Sequence, residues 1–263
     1  MNTTPFANVH VSVPFFMLRD QYLSLILSNH IQPEIGLDSL VLDAFPLEDF
    51  KRVAKELGQA GLRCSFHGPF LDLSLGAIDS RIRKVSLERY DQVFELIDLF
   101  RPRWIVCHGA YEERHYGDNQ ERWLTNITGS LAHLLTQVEK TKTPLMIENV
   151  FEKDTRHLSS LFQALPSPLL RFCLDVGHHR LYSRTSLTEW VALLGPFLGM
   201  LHLHDNHGRA DDHLALGQGS IDFPGLFRLL KEKGLDPYIT LEPHQEDWVR
   251  QSLEYLGKYW LQP

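Results

Sequence analysis

Six short apolar runs in this sequence each finish on a residue able to hold a metal ion. They read Cys64-Ser65-Phe66-His67, Val106-Cys107-His108, Met146-Ile147-Glu148, Cys173-Leu174-Asp175, His202-Leu203-His204 and Thr240-Leu241-Glu242. Imidazole and carboxylate donors suit zinc, manganese or iron. One such ending arises easily by chance; the signal lies in the set. Asp211-Asp212-His213 adds a further donor pair. In an extended segment alternate residues point the same way, so Asp211 and His213 can grip one ion. His178 is a third donor for that ion, chosen over His179 by the spacing Asp175-x-x-His178.

The runs gain meaning from the elements that must carry them. Strand-like stretches at Val9–Val13, Glu34–Leu37, Arg63–His67, Trp104–His108, Leu145–Glu148, Arg171–Asp175, Gly199–His204 and Tyr238–Glu242 alternate with helical patterns. The helices are expected at Phe16–Ser28, around residues 47–57, then Ser80–Phe100, Asp118–Lys140, Arg156–Ala164, Leu187–Leu194, Pro224–Lys233 and Glu246–Tyr259. Eight strand–helix pairs without a long linker, repeat or low-complexity tract predict one closed (β/α)8 barrel, a TIM barrel, as a single domain over residues 1–263. An open doubly wound sheet would need fewer strands, and no glycine-rich dinucleotide turn is present. Barrel sites form at the C-terminal ends of strands. Six successive strands therefore aim a donor at one small volume.

Bulk properties narrow the class. With 43% hydrophobic and 22% charged residues the chain reads as an ordinary globular protein. A formal net charge of −7 gives no support to general nucleic-acid binding. Cys64, Cys107 and Cys173 form no disulfide framework, so a reduced, cytoplasmic protein is expected. Cys173 shares the direction of Asp175 and reads as small core packing; Cys64 and Cys107 should face the helices. No signal peptide or membrane span is expected.

On these segments, with Leu216-Gly217-Gln218-Gly219 after His213, the chain resembles the xylose isomerase-like barrels, which include endonuclease IV and many sugar isomerases and epimerases. The likeness in motif runs from His67 to Glu242; before that it lies in strand and helix order. Resemblance to endonuclease IV implies up to three divalent ions. Glu148, Asp175, His202 and Glu242 would hold one. His67, His108 and a bridging Glu148 would hold the second, and His178, Asp211 and His213 the third. Single-metal epimerases share only the first group, so the expected content is one to three ions of zinc, or of manganese or iron.

Charge separates two reactions. Four ligand carboxylates against three divalent ions leave a net +2, which attracts a phosphate. One ion with Glu148, Asp175 and Glu242 leaves −1, which suits a neutral sugar. The extra histidines favour a phosphodiester hydrolase acting on a small or nucleotide-like substrate, in which the ions bring the pKa of water from about 15.7 towards about 7. The alternative is a sugar or sugar-phosphate isomerase or epimerase. There Glu148 and Glu242 move a proton from opposite faces of a carbon while His178 and Arg209 polarise the substrate. Asp154 is a looser match to a further acidic residue. A third reading is a metal-binding barrel without turnover.

Phe70 and Leu71 fall where endonuclease IV places residues that enter damaged DNA, and they serve equally to line a small pocket. DNA is the weaker partner, because no basic, aromatic-interleaved stretch is present. His204 reads as a neighbour of the ligands or as substrate-facing. His115, His133, His157, His207 and His244 read as surface or loop residues.

Overall fold

In the computed structural model, which describes Phe6 and residues 8–261, eight parallel strands pair in chain order and close on themselves. They are β1 Val9–Pro14, β2 Gln32–Gly36, β3 Ser65–His67, β4 Ile105–His108, β5 Leu145–Glu148, β6 Leu170–Asp175, β7 Leu198–Leu203 and β8 Tyr238–Leu241. Closure runs through Val9 opposite Ile239, His10 opposite Thr240 and Val11 opposite Leu241. The expected barrel is present, with strand ends moved by a residue or two.

The period of two along each strand sorts side chains into two layers. Val11, Ile35, Phe66, Ile147, Leu174 and Leu241 face outward and pack into the main core beneath the helices. Full burial of such a side chain contributes about 1.5–3 kcal/mol. Val106, Met146, Cys173 and Met200 face inward with Trp104 and form a second, smaller cluster in the barrel. Cys64 and Cys107 belong to the outer layer, and all three cysteines are free and buried. One step further along each inward row lie the charged strand ends. His108 stands opposite Glu148, and Asp175 opposite His202.

The helix Leu47–Gln59 buries Phe50, Val53 and Leu57 along one stripe. The expected continuous helix Phe16–Ser28 instead contains a wide turn at Leu18–Tyr22. Leu18 and Leu23 are both buried, and their five-residue separation matches a π turn better than an α turn. The expected Ser80–Phe100 helix ends at Phe94 and resumes at Ile97–Phe100. Three short helices fall outside the sequence pattern, Ser39–Ala44, Glu113–Tyr116 and Val176–Tyr182. The last of these matters for the site: Asp175 caps it, accepting the His178 backbone N–H at 2.6 Å. Among the described residues no helix is long and apolar enough to cross a membrane.

Candidate metal centre

All nine expected ligand residues converge at the C-terminal mouth of the barrel. Glu148, almost fully buried at the end of β5, is the hub. Its Oε2 lies 3.3 Å from His67 Nε2, 3.3 Å from His108 Nε2 and 3.4 Å from His202 Nδ1, and its Oε1 lies 3.2 Å from His178 Nδ1. His202 Nδ1 also faces Glu242 Oε1 at 3.4 Å and Asp175 Oδ2 at 3.9 Å. Asp211 gathers the remaining group, with its Oδ2 3.4 Å from His178 Nε2 and 3.2 Å from His213 Nε2.

Backbone carbonyls set the histidine tautomers. His67 Nδ1 donates to the Gly68 carbonyl at 2.9 Å, His178 Nδ1 to that of Asn149 at 3.1 Å, and His213 Nδ1 to that of Glu242 at 2.7 Å. A carbonyl only accepts, so in each ring Nδ1 carries the proton and Nε2 presents its lone pair to the centre. His213 holds this pose with φ at +47°. Asn149 fixes the end of β6 by bonding both backbone groups of Asp175 at 2.9 Å.

Several buried polar atoms here lack a hydrogen-bond partner: Glu34 Oε1, Asp175 Oδ2 and both ring nitrogens of His202 and of His204. Leaving such atoms unpaired is costly unless a cation takes their lone pairs. Donor atoms lie within 4.8 Å of one another in His67/Glu148/His202, Asp175/His178/His204, His204/His213/Glu242 and Glu34/His202/Glu242. The third trio is poorly shaped for one ion. The His204 and His213 rings stack at 3.8 Å and 7°, so their in-plane lone pairs run side by side.

Charge demand points the same way. Burial opposes a charged His178, yet Asp175, Asp211 and Glu148 lift it to about 12. Burial also opposes charge on His213, which Asp211 and Glu242 lift to about 9. Glu148 would be raised by burial, but His108 and His202 hold it well below the usual carboxylate range. Burial leaves Glu242 raised. These carboxylates draw positive charge onto whatever lies between them, and the donor set fits divalent cations.

Some residues stand differently from the sequence reading. Arg209 is exposed and has no hydrogen bond or ion pair among the described residues. Asp154 pairs with Arg156 at 2.8 Å. Phe70 covers the mouth, stacked on His108 at 4.4 Å, while Leu71 points to solvent. His204 is fully buried, 3.3 Å from Asp175 Oδ1 and 3.7 Å from Asp211 Oδ1. Only glycine fits beneath it, since a Cβ on Gly177 would meet His204 Cε1 at 2.0 Å.

Sequence reasoning missed Glu34, which lies fully buried with Oε1 2.9 Å from His202 Nε2. The signal was available: a lone carboxylate inside an apolar strand needs a partner. It was passed over because it precedes the strand end.

Comparison with known proteins places the chain. The family model described as "Xylose isomerase-like TIM barrel" matches residues 30–259. An uncharacterized protein of Methanocaldococcus jannaschii is 31% identical over 190 residues, spanning 71% of this chain and 74% of that one. A second from the same organism is 26% identical over 200 residues, spanning 73% and 68%. Among solved structures, a D-tagatose 3-epimerase-like protein superposes with a TM-score of 0.79 at 22% identity, covering 95% of this chain and 96% of that one. A Thermus thermophilus protein whose crystals were soaked with ZnCl2 gives 0.81 at 24% identity over 95% and 96%. The 3-keto-D-glucoside 4-epimerase of E. coli gives 0.74 at 17% over 97% and 98%. The extent of the family match and the shared barrel agree with the motifs at the strand ends: the chain belongs to the xylose isomerase-like TIM barrel family.

Proposed function

We propose that this protein is a divalent-metal-dependent enzyme whose histidine-rich site suits hydrolysis of a small phosphoester, while its family and structural neighbours favour a sugar isomerase or epimerase. The observation that carries the reading is Glu148, whose one carboxylate oxygen faces His67, His108 and His202 at 3.3–3.4 Å. A carboxylate shared by histidines on both sides suits a bridge between two ions. Glu148, Asp175, His202 and Glu242 would hold one ion, His67 and His108 with Glu148 a second, and His178, Asp211 and His213 a third. Zinc, manganese or iron would supply an activated water and positive charge for a phosphate. The chain's own groups orient that charge. The carbonyl-bound tautomers of His67, His178 and His213 aim Nε2 inward, and the Phe70 ring over His108 provides an apolar wall for the substrate. Glu34 adds a fifth carboxylate in contact with the ligands, so a single ion would leave a larger buried negative charge than four carboxylates alone imply.

A second reading has its own support. Sugar epimerases recur among the structural neighbours, which favours an isomerase or epimerase over a hydrolase. At 13–22% identity what these neighbours share with the chain is the fold. Its structural basis is the pair Glu148 and Glu242, both 3.4 Å from His202 Nδ1, one held ionised and the other pushed towards its protonated form. Such a split suits removal of a proton by one carboxylate and return by the other. His178 is placed to polarise a substrate oxygen, and Arg209 would have to swing inward to help.

A panel of phosphodiesters, including bis(p-nitrophenyl) phosphate, set against a panel of ketoses and sugar phosphates, decides between them. Metal-dependent phosphodiester cleavage, lost in His67→Ala and His108→Ala, is the expected result. Sugar epimerisation that survives both substitutions would establish the second reading instead. Metal binding without turnover on either panel would leave a binding barrel.

A further inference from the structure

Beneath the ligands the barrel interior carries a polar layer that neither reaction uses directly. Glu34 of β2 is its centre. Its Oε2 accepts hydrogen bonds from Trp104 Nε1 at 2.9 Å, Thr240 Oγ1 at 2.9 Å and Ser65 Oγ at 3.1 Å. Ser65 Oγ is also 2.9 Å from His10 Nδ1, and the His10 ring rests 4.4 Å from that of Trp104. Every member of this layer is fully buried. Three donors on one oxygen lock the carboxylate in place and leave Oε1, which has no hydrogen-bond partner of its own, facing His202 Nε2 at an ion-pair distance of 2.9 Å.

We infer that Glu34 is a positioning residue: it keeps the proton of His202 on Nε2 and so presents Nδ1 as a lone pair to the metal centre. The assignment rests on reading the centre as metal-binding. Its logic is that of a carboxylate–histidine–metal series, in which the outer carboxylate fixes tautomer and ring direction and raises ligand basicity. His202 Nδ1 faces Glu148, Glu242 and Asp175. Nε2 faces away from the mouth towards Glu34. Glu34 is fully buried and its ion-pair contact at the centre is His202 Nε2, so its influence on any reaction passes through His202.

The test uses Glu34→Gln. The amide oxygen can still accept from Trp104, Thr240 and Ser65, but its NH2 then confronts His202 Nε2 and favours the wrong tautomer. Zinc affinity is measured by competition with a chromophoric chelator in wild type, Glu34→Gln, His202→Ala and the double variant. The expected loss in Glu34→Gln is about 10–100-fold. In the His202→Ala background the same change should have almost no further effect. A folded Glu34→Gln protein with wild-type zinc affinity overturns the assignment, and so does an equal loss with and without His202. Ring-15N spectra of zinc-loaded wild type decide independently of whether the variant folds: zinc on His202 Nδ1 with a proton on Nε2 supports it, and zinc on Nε2 overturns it. A wild type that binds no zinc would remove the metal reading as well, whereas unchanged affinity in Glu34→Gln removes only the role of Glu34.

Discussion

Glu148 lies within ion-pair distance of His67, His108, His178 and His202, so one side chain connects all the proposed ion positions. Replacing it with alanine should cut kcat/KM by at least about 10³-fold, about 4 kcal/mol of transition-state stabilisation. A Glu148→Ala protein with wild-type turnover would remove both proposed reactions. Glu152 makes a separate statement about pH. Its carboxylate accepts the Val150 N–H at 2.6 Å and the Tyr111 N–H at 3.3 Å, and burial lifts its pKa from 4.5 to about 7. The native state therefore keeps this proton longer than the unfolded chain. The associated stability is fully present below about pH 4.5 and is lost as pH rises through about 7, a change on the order of 3 kcal/mol. Urea unfolding between pH 5 and 8 should show a steeper fall for wild type than for Glu152→Gln; parallel slopes would count against it. At this scale the sequence disclosed the candidate ligands His67, His108, Glu148, Asp175 and Glu242 because each ends a strand-like run, and His178, Asp211 and His213 by their spacing. It concealed Glu34, Glu152 and the burial of His204, whose roles depend on neighbours distant in the chain.

The loop after β7 shows why a motif can be read before it is understood. Leu216-Gly217-Gln218-Gly219 marks the family resemblance, and its reason is Asp205. That buried carboxylate accepts the backbone N–H groups of Asn206, Gly217, Gly219 and Ile221 at 2.8, 3.0, 2.9 and 3.2 Å. A Cβ on Gly219 would meet Asp205 Oδ1 at 2.3 Å, so glycine allows the close approach. Asp205 and Leu214 also bond to each other through their backbones, closing the segment that carries Asp211 and His213. Asp205→Ala should cost about 2–4 kcal/mol in urea unfolding and weaken the Asp211 group's hold on its ion. A change within about 0.5 kcal/mol would show that the loop is held by something else. The strands were legible because alternation and length give them away. The π turn at Leu18–Tyr22 and the short helix Val176–Tyr182 were not: one depends on packing of Leu18 and Leu23, the other on a cap supplied by a ligand residue.

For the whole molecule, the barrel closes around a stack of layers. Trp104 with Met146 and Met200 forms an apolar cluster inside, Trp104 bonds to Glu34 together with Ser65 and Thr240, and the candidate ligands converge at the mouth. Ions binding only the folded barrel must stabilise it by mass action, about 2.7 kcal/mol at a hundred times Kd. Chelation should therefore lower Tm by roughly 5–10 °C, recoverable on adding zinc or manganese. An unchanged Tm would mean that the ligand groups are satisfied without ions. Fold and most of the candidate ligands could be seen together in the sequence because both follow the strand ends. Reaction type was less visible, since the same donors serve one ion or three.

The most direct measurement is bound metal per chain, by elemental mass spectrometry on protein purified without chelator. Two or three ions, falling when His67 and His108 are replaced by alanine, is the predicted result. One ion per chain, unaffected by those replacements, would contradict the bridged centre at Glu148 and with it the hydrolase.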